Sequence, residues 1–150
     1  MLKQGDKAPA IKAETDTGEI FELAAHKGEK IILYFYPRAD TPGCTVEACE
    51  FRDSYKKIGK KGALIVGVSP DTSKAQAKFK TKFDLPFLLL ADADKKVCEA
   101  YGVMKEKNMY GKRVMGVART TFLIDEEGKI EKIFSNVKPA GHAGQILQSL

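Results

Sequence analysis

The run Ile31-Ile-Leu-Tyr-Phe-Tyr36 carries six bulky apolar or aromatic side chains in succession and ends at Pro37. A strand with one face in water would alternate apolar and polar residues, so this one reads as a central strand buried on both faces. A chain with such a strand must supply layers of structure on either side of it, and the segments that follow have the patterns to do so. Thr41-Pro42 has the form of a helix start, with Thr41 as N-cap and Pro42 at the first helical position, and the helix should continue to Lys60 and stop near Gly62. Ala63 to Ser69 reads as a second core strand, Thr72 to Phe83 as an amphipathic helix, Phe87 to Leu90 as a strand and Asp94 to Tyr101 as a short helix ending near Gly102.

Upstream, a turn at Asp16-Thr-Gly18 precedes a short strand from Glu19 to Leu23. Downstream, Val114 to Ile124 and Lys129 to Phe134 flank the turn Asp125-Glu-Glu-Gly128 as the arms of a β-hairpin, and a last helix runs from about His142 to Leu150. Strands alternating with helices and then an antiparallel hairpin imply an α/β fold, with a mixed central β-sheet flanked by helices. At 150 residues, residues 1–150 form one domain of ordinary size that needs no disulfide or structural metal to hold it.

Composition narrows the function classes. Hydrophobic content of 43% and charged content of 30% belong to a soluble chain, no stretch approaches the ~20 apolar residues of a membrane span, and no secretory leader precedes Gly5. A cytoplasmic location follows as the expectation. The net charge of +5 comes with lysines at 56, 57, 60 and 61 and at 74, 78, 80 and 82. Their spacing fits solvated helix faces, and no nucleic-acid motif accompanies them. His26 and His142 have no metal-ligand spacing to a cysteine and read as surface residues; no cofactor or metal motif is present.

Three cysteines are too few for a disulfide framework in a chain of this kind and point instead to chemistry. Cys44 falls at the third helical position after the cap, where free amide N–H groups and the helix dipole favour an anion and hence a thiolate. Thr41 can turn its hydroxyl toward the sulfur, and Gly43 would leave room for a small substrate. Cys49 lies five residues on, roughly 9 Å away along an intact helix against the ~7 Å that a disulfide spans, so joining the two requires local unwinding. Cys98 sits mid-helix among packing residues and reads as core. Glu47 reads either as a proton relay or as an exposed carboxylate that complements the helix dipole, and is left outside the catalytic set.

Pro37, Thr41 and Cys44 form Pro-x-x-x-Thr-x-x-Cys, followed by Cys49-Glu-Phe-Arg-Asp53, and a second segment reads Arg119-Thr-Thr-Phe-Leu-Ile-Asp125. In these residues the chain resembles the peroxiredoxins, in particular the Q-type branch that includes bacterioferritin comigratory protein. The resemblance implies a thioredoxin-like fold and a cofactor-free, thiol-dependent peroxidase acting on hydrogen peroxide and organic hydroperoxides. It makes Cys44 the attacking cysteine, Cys49 its resolving partner, Thr41 and Arg119 the groups that bind and polarise the peroxide, and Pro37 a shield over the pocket. It further implies thioredoxin as the reductant and a monomer as the working form. A redox sensor and a general dithiol exchanger are the competing readings; the lack of Cys-x-x-Cys counts against the second.

Overall fold

Residues 31–36 do form the middle of the molecule. In a computed structural model, which describes residues 1–150 apart from the side chain of Met109, strand β3 (Lys30–Phe35) lies third in a five-stranded sheet. Before it come β1 (Lys12–Glu14) and β2 (Ile20–Glu22), an antiparallel pair of their own, and a turn of 3-10 helix at Leu23–His26. After it come α1 (Pro42–Lys60), β4 (Ala63–Ser69), α2 (Ser73–Phe83), β5 (Leu88–Ala91) and α3 (Lys96–Ala100). The chain then runs through β6 (Met104–Met109), β7 (Lys112–Val117), β8 (Thr120–Ile124), β9 (Ile130–Phe134) and α4 (His142–Ser149). The sheet order is β5-β4-β3-β8-β9, parallel from β5 to β3 and antiparallel from β3 to β9.

Alternate residues of β3 point to opposite faces of the sheet, and both faces are covered, which is why the run is apolar throughout. Ile31, Leu33 and Phe35 pack with Val66, Val68, Phe122 and the α3 residues Val97 and Cys98. Ile32, Tyr34 and Tyr36 pack on the other side with Cys44, Ala48, Phe51 and Ile58 of α1, Phe79 of α2 and Ala143 and Ile146 of α4. Phe51, fully buried, stacks obliquely on Tyr34 with ring centroids 4.7 Å apart. Removing such a ring would cost about 3–5 kcal/mol.

The stretch Val114 to Ile124, read above as one strand, is two. β7 pairs with β6 in a separate two-stranded sheet, while β8 pairs with β3, and the exchange of partners takes place at Ala118 and Arg119. The apolar pattern misled because Val114 and Met115 belong to the hairpin and are exposed, whereas Thr120 to Ile124 are buried. β1 and β6 had no strand signature in the sequence. The short helix at 94–101 contracts to α3, whose start is held by the buried carboxylate of Asp92 accepting from Val97 N at 3.1 Å and Cys98 N at 2.8 Å.

Both histidines depart from the surface reading. His142 is 1% exposed; its Nε2 shares a hydrogen bond with Thr121 Oγ1 at 2.7 Å, and its ring meets Phe51 and Phe134 edge-on. Burial lowers its pKa from the ordinary value. Position at a helix start does not make a residue exposed when the helix is docked, and α4 begins against α1. His26 is half-buried and stacks on Phe21 with centroids 4.9 Å apart.

Candidate active site

β3 ends in the loop 37–41, which leads directly into α1, and the loop is held from the neighbouring strand by a chain of buried hydrogen bonds. Tyr36 OH donates to Gln76 Oε1 at 2.6 Å, and Gln76 Nε2 donates to Ser69 Oγ and to the Leu90 carbonyl, each at 2.8 Å. Ser69 Oγ donates to Asp71 Oδ2 at 2.6 Å, and the same oxygen accepts from Ala39 N at 2.8 Å. Lys82 pairs with Asp40 at 2.9 Å on the outer side of the loop. Pro37, half-buried, opens this loop.

Thr41 occupies the N-cap position, but its side chain does not cap the helix. Its hydroxyl donates to the Arg38 carbonyl at 3.0 Å, so the bond expected toward the sulfur is replaced by one within the loop. The first-turn amides of α1 are thereby left without a side-chain acceptor, next to Cys44, which is the third helical residue and is 1% exposed. An anion at this point meets free N–H groups and the positive end of a nineteen-residue helix.

Arg119 reaches this point from 75 residues away because β8 pairs antiparallel with β3: Thr120 is opposite Phe35, which puts Arg119 at the end of β3 from which the loop departs. Its Nη2 donates to Cys44 Sγ at 3.2 Å and its Nη1 to Glu47 Oε1 at 3.1 Å. Gly43 makes the approach possible, since a Cβ there would lie 2.8 Å from Nη2. The space beside the nucleophile, expected to be open for substrate, is thus taken by the guanidinium.

Of the two readings of Glu47, the exposed carboxylate is the one the structure overturns. It is 1% exposed, one turn after Cys44 on the same helix face, and is ion-paired with Arg119 rather than facing solvent. Burial pushes its carboxyl up to about 7, against the pull of Arg119, and its Oε2 has no hydrogen-bond partner. The i, i+3 spacing of Cys44 and Glu47 was the available signal; nothing in the sequence said which side of α1 would be covered. Tyr34, whose hydroxyl is likewise buried without a partner, has its pKa raised by burial first and then by Tyr36, Glu47 and Cys44.

All three cysteines are free thiols. Cys49 is half-buried further along α1, whereas Cys98 is buried on the opposite face of the central sheet from Cys44. The structure therefore brings together Cys44, Arg119, Gly43 and Glu47, leaves Cys49 within the same helix, and excludes Cys98. A thiol fronted by a guanidinium and by helix amides suits nucleophilic attack that releases a small oxyanion.

Fold and site together define a thioredoxin-fold enzyme that works through a cysteine thiol. Residues 4–133 match the AhpC/TSA family, and the chain belongs to it. The chain is 49% identical to peroxiredoxin Bcp of Bacillus subtilis (strain 168) over 149 residues, covering 99% of this chain and 95% of that one. The solved structure of a cysteine-to-serine mutant of Xylella fastidiosa PrxQ superposes with a TM-score of 0.95 at 31% identity, covering 99% and 95% of the two chains. Bacterioferritin comigratory protein of Xanthomonas campestris, whose trapped intermediate/ligand complexes were solved for insight into its alkyl peroxide reduction activity, gives 0.89 at 40% identity over 93% and 88%. The chain is accordingly a peroxiredoxin of the Bcp/PrxQ branch, a thiol peroxidase. No helix among the described residues is long and apolar enough to cross a membrane.

Proposed function

We propose that Cys44 attacks the peroxide, that Arg119 and Thr41 bind and polarise it with Gly43 and Pro37 shaping the pocket, and that Cys49 resolves the oxidised sulfur. The 3.2 Å hydrogen bond from Arg119 Nη2 to the buried sulfur of Cys44 carries this reading. The Cys44 thiolate takes the outer oxygen of ROOH, the O–O bond breaks, and the leaving RO⁻ is met by the guanidinium and by a proton, giving ROH and Cys44 sulfenic acid. Cys49 then attacks that sulfur, water leaves, and an intramolecular disulfide forms. A dithiol, for which we infer thioredoxin, returns both cysteines to thiols. Glu47 keeps Arg119 aimed at the sulfur by accepting from its other nitrogen.

Hydrogen peroxide and organic hydroperoxides are the inferred substrates. All the groups named lie on one chain, which supports a monomer that needs no second subunit, and a single five-stranded sheet spanning residues 30–134 supports one domain over 1–150. Three cysteines, an odd number, suit a reducing cytoplasm. The test is peptide mapping after one equivalent of hydrogen peroxide, alongside thioredoxin-coupled turnover. A Cys44–Cys49 bond, with turnover lost by at least ~10⁴-fold in Cys44→Ser, is expected; a Cys44–Cys98 bond would remove Cys49 from its role.

A further inference from the structure

A second cation is tied to the strand that leads into Arg119. Lys107, on β6, donates from Nζ to the Val117 carbonyl at 2.6 Å, two residues before Arg119. Its register partner across the hairpin is Val114, so the side chain does not stand over the residue opposite but leans along the hairpin toward its base. Gly116 lets it pass: a Cβ there would meet Lys107 Cδ at 3.1 Å and Cε at 3.3 Å. The ammonium has three donors and Val117 takes one, which leaves two for a ligand.

The charge of Lys107 is coupled to the catalytic groups. Partial burial and then repulsion from Arg119 lower its pKa from the usual lysine value, while attraction to Cys44 opposes them. Among the described residues no carboxylate lies within ion-pair distance of Lys107; its strand neighbour Glu106 pairs with Arg113 at 3.7 Å instead. The acid of the site, Glu47, is engaged by Arg119. Of these two cations, only Arg119 is therefore ion-paired among the described residues.

We propose that Lys107 is a specificity-determining residue of the peroxidase reaction, favouring hydroperoxides that bear a carboxylate or other anionic group away from the O–O bond over neutral ones. This rests on the reading of Cys44 and Arg119 as the peroxide-reducing pair. The anionic end of such a substrate meets the ammonium as its peroxide group meets Arg119, and the attraction raises kcat/KM without altering the bonds made and broken.

The experiment compares kcat/KM for a short alkyl hydroperoxide ending in a carboxylate with that for its methyl ester. The wild type should favour the acid by roughly fivefold at low salt, with the preference shrinking as ionic strength rises from ~0.01 to ~0.5 M. Lys107→Met should bring the acid-to-ester ratio to about one, Lys107→Arg should keep it, and Lys107→Glu should invert it. A ratio unmoved by Lys107→Met, or unmoved by salt in the wild type, overturns the proposal while leaving the peroxidase reading intact. Failure of the wild type to consume either compound overturns the peroxidase reading, and this proposal with it.

Discussion

Cys44 and Cys98 are both buried near the start of a helix, one on each face of the same sheet, and they differ in what charge meets them. Arg119 donates to the sulfur of Cys44, while Cys98 sits against the buried carboxylate of Asp92, which caps α3 by accepting from the Cys98 amide. Burial, reinforced by Asp92, pushes the Cys98 thiol up and favours its protonated form. Two equally buried thiols thus meet charges of opposite sign, and the helix starts differ too: the first amides of α1 have no side-chain acceptor, while those of α3 donate to Asp92.

The comparison breaks most directly at Arg119. Arg119→Met removes the only side-chain donor to the sulfur among the described residues and should lower kcat/KM for hydrogen peroxide by about 10²–10³-fold, measured by stopped-flow. A drop of less than threefold would mean that the helix amides suffice and that the contrast with Cys98 lies elsewhere. Gly43→Ala tests the same contact without touching the charge: the new methyl would stand 2.8 Å from the present place of Nη2, push the guanidinium aside, and cost about 10–100-fold in kcat/KM while the fold is retained.

Glu47→Gln sharpens the comparison through pH. The carboxyl of Glu47 is raised to about 7 from 4.5, so the native state holds a proton that the unfolded chain releases. Its contribution to stability is present in full below pH ~4.5 and is lost as pH rises through about 7, by at most about 3 kcal/mol at ~1.4 kcal/mol per pKa unit. Urea unfolding of the wild type should show this decline between pH 4.5 and 7, and Glu47→Gln should flatten it. An identical slope in both proteins would place the titration on another group.

The sequence made some of this legible because it records burial and chain direction well. The run from Ile31 to Tyr36, the Thr41-Pro42 helix start and the Cys44 position needed only local pattern, and all three stand where they were read. Cys98 as a core residue followed from its apolar helical setting. What failed depended on partners distant in the chain. Val114 to Ile124 looked continuous because apolar residues on an exposed hairpin and on a buried strand are alike until their partners are known. His142 read as a surface residue, and exposure was one of two readings open for Glu47, because polarity is a poor guide once Arg119, Thr121 and the flank of α1 are packed around them. Gly43 was read as leaving room beside the sulfur, and that room admits the side chain of Arg119, which no local pattern could foretell.

The hydrogen-bonded chain from Tyr36 to Ala39 has a mechanical consequence for the catalytic cycle. With the Ala39 amide fastened to Asp71, and Phe51 lodged between the sheet and His142, both ends of the reacting stretch are pinned. Slack for the proposed Cys44–Cys49 bond must then be drawn from residues 40–50 alone. Each turnover would pull out and rewind one short spool of backbone, with its length set by those two anchors, while the sheet beneath it holds still.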